Sequence, residues 1–113
     1  MDYTESGRKL MSESIASYVE TRKRRMRREA AARDARISEA RLEIRELVDD
    51  FSRIDPEIQS ITLFGSLATG RVRSRWFDID MAVDCTPEKY LDLVSRALRS
   101  PFDVDVVEVL YER

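Results

Sequence analysis

The chain has 113 residues, of which 37% are charged and 42% are hydrophobic, so one compact domain with an appended helix is expected and a large multidomain enzyme is excluded. It contains no histidine and a single cysteine, Cys85. These counts exclude Ser-His-Asp and Cys-His nucleophilic sites, a disulfide framework, and zinc sites built from histidine or clustered cysteine. A metal ion bound here must therefore be a hard cation, Mg²⁺ or Mn²⁺, held by carboxylates.

The net charge of -2 conceals an uneven distribution. Residues 1–48 carry 12 basic and 9 acidic side chains, a net charge of +3, whereas residues 49–113 carry 8 basic and 13 acidic side chains, a net charge of -5. We expect a basic helical arm (1–37) followed by an acidic domain (38–113). No apolar run approaches the roughly 20 residues of a membrane span, so we expect no membrane partner and a reducing, cytoplasmic location.

The first half of the chain is predicted to be helical. No glycine interrupts residues 8–64, and Pro56 is the only proline in that range. Apolar and small side chains recur at three- or four-residue steps from Met11 to Phe51, which is the helical period. Pro56 is expected to end the helix, because a proline cannot donate the backbone hydrogen bond that would continue it.

The middle of this stripe is thin, because Arg22 and Arg33 occupy it. Two helices, over residues 8–24 and 28–53, and one continuous helix therefore remain equal alternatives. Residues 22–28 contain six cations and no aromatic side chain, which favours a solvated helix, or one lying on an acidic partner surface, over RNA binding. The apolar residues that precede this segment predict either self-association through the arm or docking onto a partner.

The second half predicts an α/β domain with the order β–β–α–β. Residues 58–64, 77–84 and 102–110 have the composition or alternation of strands. Thr86 and Pro87 predict a helix start, with Thr86 as the N-cap and Pro87 in the first helical position. The apolar face of that helix is predicted to consist of Tyr90, Leu91, Val94, Ala97 and Leu98.

Acidic side chains mark two of these strands. Asp78 and Asp80 are two positions apart, so a strand places them on one face, where they repel each other unless a cation lies between them. Asp105, flanked by valines, is the preferred third carboxylate, and Asp103 is the alternative. Three acids, two metal ions and a nucleoside triphosphate such as ATP would form a two-metal phosphoryl-transfer site in which Asp78, Asp80 and Asp105 bind metal and are catalytic.

The segment between the first two strands is predicted to bind phosphate. Gly65 would allow a phosphate to approach the backbone, and Ser66 offers both an N–H and a hydroxyl group. Among the three arginines that follow, Arg71 is the chosen nucleotide-binding residue, and Arg73 and Arg75 are further candidates.

Three runs of sequence, at residues 63–70, 78–81 and 104–107, together resemble the nucleotidyltransferase superfamily, in particular its minimal nucleotidyltransferase (MNT) branch. They read Leu-Phe-Gly-Ser-Leu-Ala-Thr-Gly, Asp-Ile-Asp-Met and Val-Asp-Val-Val. The resemblance covers residues 38–113 and implies a nucleotidyltransferase fold, an α+β arrangement in which a small mixed sheet packs on helices behind the long N-terminal arm. The family commonly has serine before the first aspartate, where this chain has Phe77 preceded by Trp76.

The resemblance also implies an activity and a partner. MNT proteins transfer a nucleoside monophosphate to a hydroxyl group, and many pair, as antitoxins, with HEPN proteins, whose tyrosine some of them modify with AMP. We therefore expect ATP or another nucleoside triphosphate as substrate, Mg²⁺ or Mn²⁺ as cofactor and a HEPN-type toxin as protein partner. The alternatives are a catalytically reduced binding or antitoxin module and an RNA-binding accessory protein that uses the arginine-rich arm.

Overall fold

A computed structural model describes the backbone of residues 3–110 and the side chains of residues 13–110. Met11, predicted to belong to the apolar stripe, lies outside the described side chains. The elements in chain order are helix α1 (Tyr3–Ile54), strand β1 (Ser60–Phe64), helix α2 (Ser66–Thr69), strand β2 (Ile79–Asp84), a 3₁₀ turn (Pro87–Lys89), helix α3 (Tyr90–Leu98) and strand β3 (Val104–Glu108).

Helix α1 is one continuous helix, which decides between the two sequence alternatives. After Gly7 the helix contains neither glycine nor proline, and ion pairs such as Arg36–Glu39 (2.9 Å) connect successive turns. It ends at Ile54, two residues before Pro56, as predicted. Because α1 passes through residues 37 and 38 without a break, the proposed division between arm and domain stays a prediction.

The three strands form one mixed sheet in the order β1-β2-β3. β1 and β2 are antiparallel, whereas β2 and β3 are parallel and are connected through α3. Ile79, Met81 and Val83 alternate along β2 and are buried on the face that packs against the helices. The opposite face carries the intervening acidic and small residues, so the predicted small mixed sheet with one apolar face is confirmed.

The core lies between this sheet, the C-terminal half of α1 and α3. Ala40, Leu47 and Phe51 of α1 are fully buried, and Ile37 and Ile44 pack beside them. Each fully buried large apolar side chain stabilises the fold by about 1.5–3 kcal/mol. This face of α1, predicted from the helical period, therefore anchors the helix to the domain.

A partly buried polar network joins α1 to α3. The Arg96 guanidinium donates to Asp50 at 2.6 Å and to Glu43 at 3.3 Å, and Ser100 Oγ donates to Glu43 at 3.1 Å. Hydrogen bonding to Asp50, opposed by burial, raises the pKa of Arg96, and the same bond lowers the pKa of Asp50. These contacts set the position of α3 on α1, since removing one partner would leave a buried charge uncompensated.

Asp55, directly after α1, is a buried residue that makes a second set of polar contacts between distant parts of the chain. It is 2% exposed and accepts hydrogen bonds from the Thr86 N–H (2.7 Å), the Thr86 hydroxyl (3.0 Å) and the Glu57 N–H (3.1 Å). Burial alone would raise the pKa of Asp55, but these hydrogen bonds lower it below the ordinary value. Thr86 is the N-cap residue of the 3₁₀ turn and Pro87 is its first residue, as predicted, but the Thr86 side chain makes no capping hydrogen bond and bonds Asp55 instead.

The predicted apolar face of α3 is partly wrong. Leu93 and Ala97 are buried, with Tyr90 and Val94 half-buried, whereas Leu91 and Leu98 are 73% and 78% exposed. The Tyr90 hydroxyl donates to the carbonyl oxygen of Val106 at 2.6 Å. In this orientation Leu93, rather than Leu91, is buried in the core.

The described N-terminal part of α1 is exposed, and its one ion pair with the rest of the described chain joins Glu29 to Arg75. Residues 13–29 are exposed apart from the half-buried Thr21, and Ile15 and Tyr18 are 59% and 62% exposed. Self-association or docking through this apolar part stays a prediction. In the part of the chain that the structure describes, no helix has the length and apolar character of a membrane-spanning segment.

Candidate nucleotide and metal site

Asp80 and Asp105 lie side by side on the open face of the sheet. In the register of the three strands Asp80 is opposite Phe64 of β1 and opposite Asp105 of β3. The pairing places all three side chains on one face, away from the buried Ile79 and Met81. Asp80 is half-buried and Asp105 is exposed. Two carboxylates from neighbouring strands therefore meet at one point of the sheet.

Asp78 lies just before β2 rather than within it. The strand predicted from Phe77 begins at Ile79, and Asp78 is exposed. Asp78 is nevertheless close enough to act on Asp80. Burial, followed by the negative charges of Asp105 and Asp78 and a hydrogen bond with Asp105, raises the pKa of Asp80. The three acids thus form one electrostatic group with Asp80 at its centre.

Gly65 lies directly beside the Asp80 carboxylate. It has φ +81° and ψ -161°, a backbone conformation that essentially only glycine adopts. A Cβ at this position would collide with Asp80 Oδ2 and would lie 3.2 Å from Asp80 Cγ. Glycine is therefore needed here both for the turn from β1 into α2 and for the close approach of the carboxylate, a contact that the sequence did not predict.

An open cleft of about 320 Å³ lies beside these residues. Arg71 and Arg73 supply positive charge to it, and Asp78 and Asp80 supply negative charge. Its full lining is Ser66, Arg71, Val72, Arg73, Ser74, Trp76, Phe77, Asp78 and Asp80. Asp105 is not part of this lining and lies next to it on β3, beside Asp80. An arrangement of cations and carboxylates around one cleft suits a phosphate group accompanied by a divalent metal ion.

Two of the further candidates lie elsewhere. Arg75 pairs with Glu29 of α1 at 3.8 Å and lies 5.1 Å from the centre of the Trp76 ring, outside the cleft lining. Asp103 is exposed, precedes β3, and lines a separate depression next to Arg36. Asp105, not Asp103, therefore accompanies Asp80. Trp76 is 80% exposed and borders both hollows, so it stands at the rim of the cleft.

A larger hollow of about 530 Å³ lies beyond the other end of β2. Three acidic residues, Glu57, Asp84 and Glu108, contribute to its lining, and no cation does. Like-charged walls repel a polyphosphate. The smaller cleft, which contains two arginines, therefore suits a nucleotide better than the larger one.

The acidic group is an incomplete set of metal ligands. Among residues 13–110, no three Asp, Glu, His or Cys side chains are already arranged to hold a metal ion. The donors are carboxylate oxygens, which suit Mg²⁺ or Mn²⁺, and Mg²⁺ commonly takes only one or two carboxylates together with phosphate oxygens of its substrate. Burial, and after it the negative charges of Asp105 and Asp78, raise the pKa of Asp80, and a cation here would relieve the repulsion among the three carboxylates. The residues therefore fit a metal ion that binds together with a nucleotide.

A family model described as a nucleotidyltransferase domain matches residues 44–112, more than half of the chain, and this range contains β1, α2, β2, α3, β3 and every acidic residue of the site. No curated protein and no solved structure matches the chain.

Proposed function

Because the chain belongs to the nucleotidyltransferase domain family, we propose that it binds ATP or another nucleoside triphosphate, with Mg²⁺ or Mn²⁺, in the cleft beside Asp80 and transfers a nucleoside monophosphate to a hydroxyl group. The observation that carries the proposal is the meeting of Asp80 with Asp105 across β2 and β3, directly beside Gly65. Acidic groups this close favour a bound divalent cation.

Each residue has a role in this proposal. Asp78, Asp80 and Asp105 would hold the metal ions, while Gly65, Ser66 and Arg71 would position the phosphates. Bound Mg²⁺ neutralises phosphate charge and polarises the phosphoryl oxygens. The two arginines of the cleft, Arg71 and Arg73, add positive charge toward the triphosphate.

The reaction forms one bond to the α-phosphorus and breaks one, and it transfers one proton. The acceptor hydroxyl oxygen bonds to the α-phosphorus, the bond from that phosphorus to the bridging oxygen breaks, and pyrophosphate leaves with the electron pair. The hydroxyl proton passes to a base, for which Asp105 is the proposed residue. Its exposure supports this role, since an acceptor can approach β3 from the open face of the sheet.

The acceptor is proposed to be a protein, as the resemblance to MNT proteins implies, with a HEPN-type toxin as the partner. This part of the proposal has its own experiment. The protein is incubated with [α-³²P]ATP and the protein encoded by the neighbouring gene, and transfer of the label to that protein is expected. The same reaction with [γ-³²P]ATP should leave the acceptor unlabelled, because the γ-phosphate departs in pyrophosphate.

Nucleotide binding is tested separately by titration calorimetry with ATP and millimolar Mg²⁺. Binding should disappear with EDTA and in Asp80→Asn, while a matched loss of one exposed carboxylate on α3, Asp92→Asn, should leave it unchanged. Binding that survives both EDTA and Asp80→Asn would refute the proposed site. Binding without transfer in the labelling experiment would instead identify a catalytically reduced, nucleotide-binding module.

A further inference from the structure

The arm of α1 carries an unusual concentration of positive charge, which we call the cationic segment (residues 22–28). Six of its seven residues are arginine or lysine, and all seven are exposed. None of these six cations takes part in the salt bridges of the described chain, which join other side chains. Within the described part of the chain, the cations of this segment therefore form no ion pair.

The charge surrounds the helix instead of marking one side of it. At 3.6 residues per turn, successive side chains are about 100° apart, so the widest arc without a cation is about 100° and contains Met26. A flat acidic surface contacts one side of a helix and would leave the other cations in solvent. A groove with negative charge on both walls contacts most of the circumference, so it matches this distribution better.

The spacing of the charges also matches a nucleic acid duplex. Seven residues rise about 10 Å, which gives one positive charge per about 1.8 Å of helix axis. Double-stranded DNA carries one negative charge per about 1.7 Å of its own axis. Its major groove, about 12 Å wide, admits an α-helix of about 10–12 Å diameter.

We propose that the cationic segment binds duplex DNA by lying in its major groove between two rows of phosphates. The segment offers six arginine and lysine side chains, which contact phosphate oxygens, and the proposed affinity comes from those phosphate contacts. α1 places it clear of the domain, since residues 22–29 have no buried member. This site is separate from the nucleotide cleft, and the proposal does not depend on nucleotidyl transfer.

The test measures fluorescence anisotropy of labelled 20-base-pair DNA and RNA duplexes of the same sequence with the full chain. Six phosphate contacts predict a slope of about -5 for log K against log salt, and a loss of about 10³-fold in affinity between about 50 and 200 mM salt. Arg24→Gln/Arg25→Gln/Arg28→Gln should reduce that slope to about -3. The DNA duplex should bind more tightly than the RNA duplex, because the major groove of A-form RNA is deep and narrow. Equal or tighter binding of the RNA duplex would overturn the proposal.

A matched control removes the same charge elsewhere. Arg41→Gln/Arg45→Gln/Arg99→Gln neutralises three exposed cations outside the cationic segment and should retain the slope of about -5. Equal losses in the two triple variants would overturn the proposal, because the effect would then follow net charge alone. Poly-glutamate that competes with the duplex at equal charge concentration would also overturn it, in favour of an acidic protein surface. Asp80→Asn should leave duplex binding unchanged.

Discussion

Substitution of Gly65 by alanine tests the close packing of β1 against the Asp80 carboxylate. The backbone at Gly65 has φ +81° and ψ -161°, where an alanine is strained by about 1–3 kcal/mol. The new Cβ would also collide with Asp80 Oδ2, and displacing a packed side chain costs about 1–3 kcal/mol. Together these lower the free energy of unfolding by about 2–6 kcal/mol, a large part of the about 5–15 kcal/mol of a typical domain.

Gly70 provides the matched control. It also has a positive φ, +72°, but a Cβ there meets no atom within 4 Å. Gly70→Ala should therefore cost only the left-handed backbone strain of about 1–2 kcal/mol. Urea unfolding followed by circular dichroism gives both values, and Mg²⁺-dependent ATP binding should be lost in Gly65→Ala and retained in Gly70→Ala.

A double-mutant cycle isolates the collision with Asp80. In an Asp80→Ala background the carboxylate is gone, so Gly65→Ala should cost about 1–3 kcal/mol, the strain alone. Equal costs of Gly65→Ala in the wild-type and Asp80→Ala backgrounds would refute the reasoning, because the carboxylate would then make no contact that matters.

Three further outcomes are expected. Asp55→Ala should lower the free energy of unfolding by about 3 kcal/mol or more in urea titrations, because it leaves two Thr86 donors without an acceptor. Thr86→Val, which removes only the hydroxyl, should lower it by about 1 kcal/mol. Similar values for the two variants would contradict this account. The pKa of Asp55 in the folded protein is below its ordinary value of 3.8, so the stabilisation by the Asp55 carboxylate is complete above pH 3.8 and is lost as the pH falls toward the folded pKa. The stability of the wild type should therefore decline more steeply in acid than that of Asp55→Ala. Parallel curves for the two proteins would contradict this prediction. ATP should quench the fluorescence of Trp76, the single tryptophan. If the indole ring stacks on the base, Trp76→Ala should weaken ATP binding about tenfold, while unfolding in urea stays unchanged because the ring is 80% exposed. Wild-type affinity in the variant would exclude stacking.

Local periodicity predicted most of the elements correctly. The stripe on α1 from Ile37 to Phe51, the alternation on β2 and the end of α1 before Pro56 are all seen in the structure. Each of these features depends on neighbours within a few positions of the chain. The predicted strands were each two or more residues too long, because strand ends depend on which residues find a partner strand.

The hydrogen bonds made by Arg96 and by Asp55 were not predicted, because their partners are far apart in sequence. Arg96 and Asp50 are 46 positions apart, and Thr86 and Asp55 are 31 apart. No periodicity connects such residues, and a charged side chain such as Asp55 is ordinarily exposed. The Tyr90–Val106 hydrogen bond of α3 likewise joins residues that are 16 positions apart.

In the candidate site, too, local sequence features were predicted and contacts between distant residues were not. The spacing of Asp78 and Asp80 directed attention to the start of β2, although Asp78 lies outside that strand, and the resemblance pointed to Gly65 and Ser66, of which Gly65 lies beside Asp80. The pairing of Asp80 with Asp105, however, follows from the parallel register of β2 and β3, which the sequence of neither strand encodes. The roles of these residues in metal binding and catalysis stay predictions.

The continuity of α1 makes its residue count a measure of distance. From Arg25 to Ala40, the first fully buried residue of the helix, 15 residues separate the cationic segment from the core, which corresponds to about 22 Å along the axis. A partner bound to the arm is therefore held at a fixed separation and a fixed angle from the domain. Two extra residues in between would turn that partner by about 200° while moving it only about 3 Å, whereas seven extra residues, close to two turns, would move it about 10 Å and nearly restore its direction.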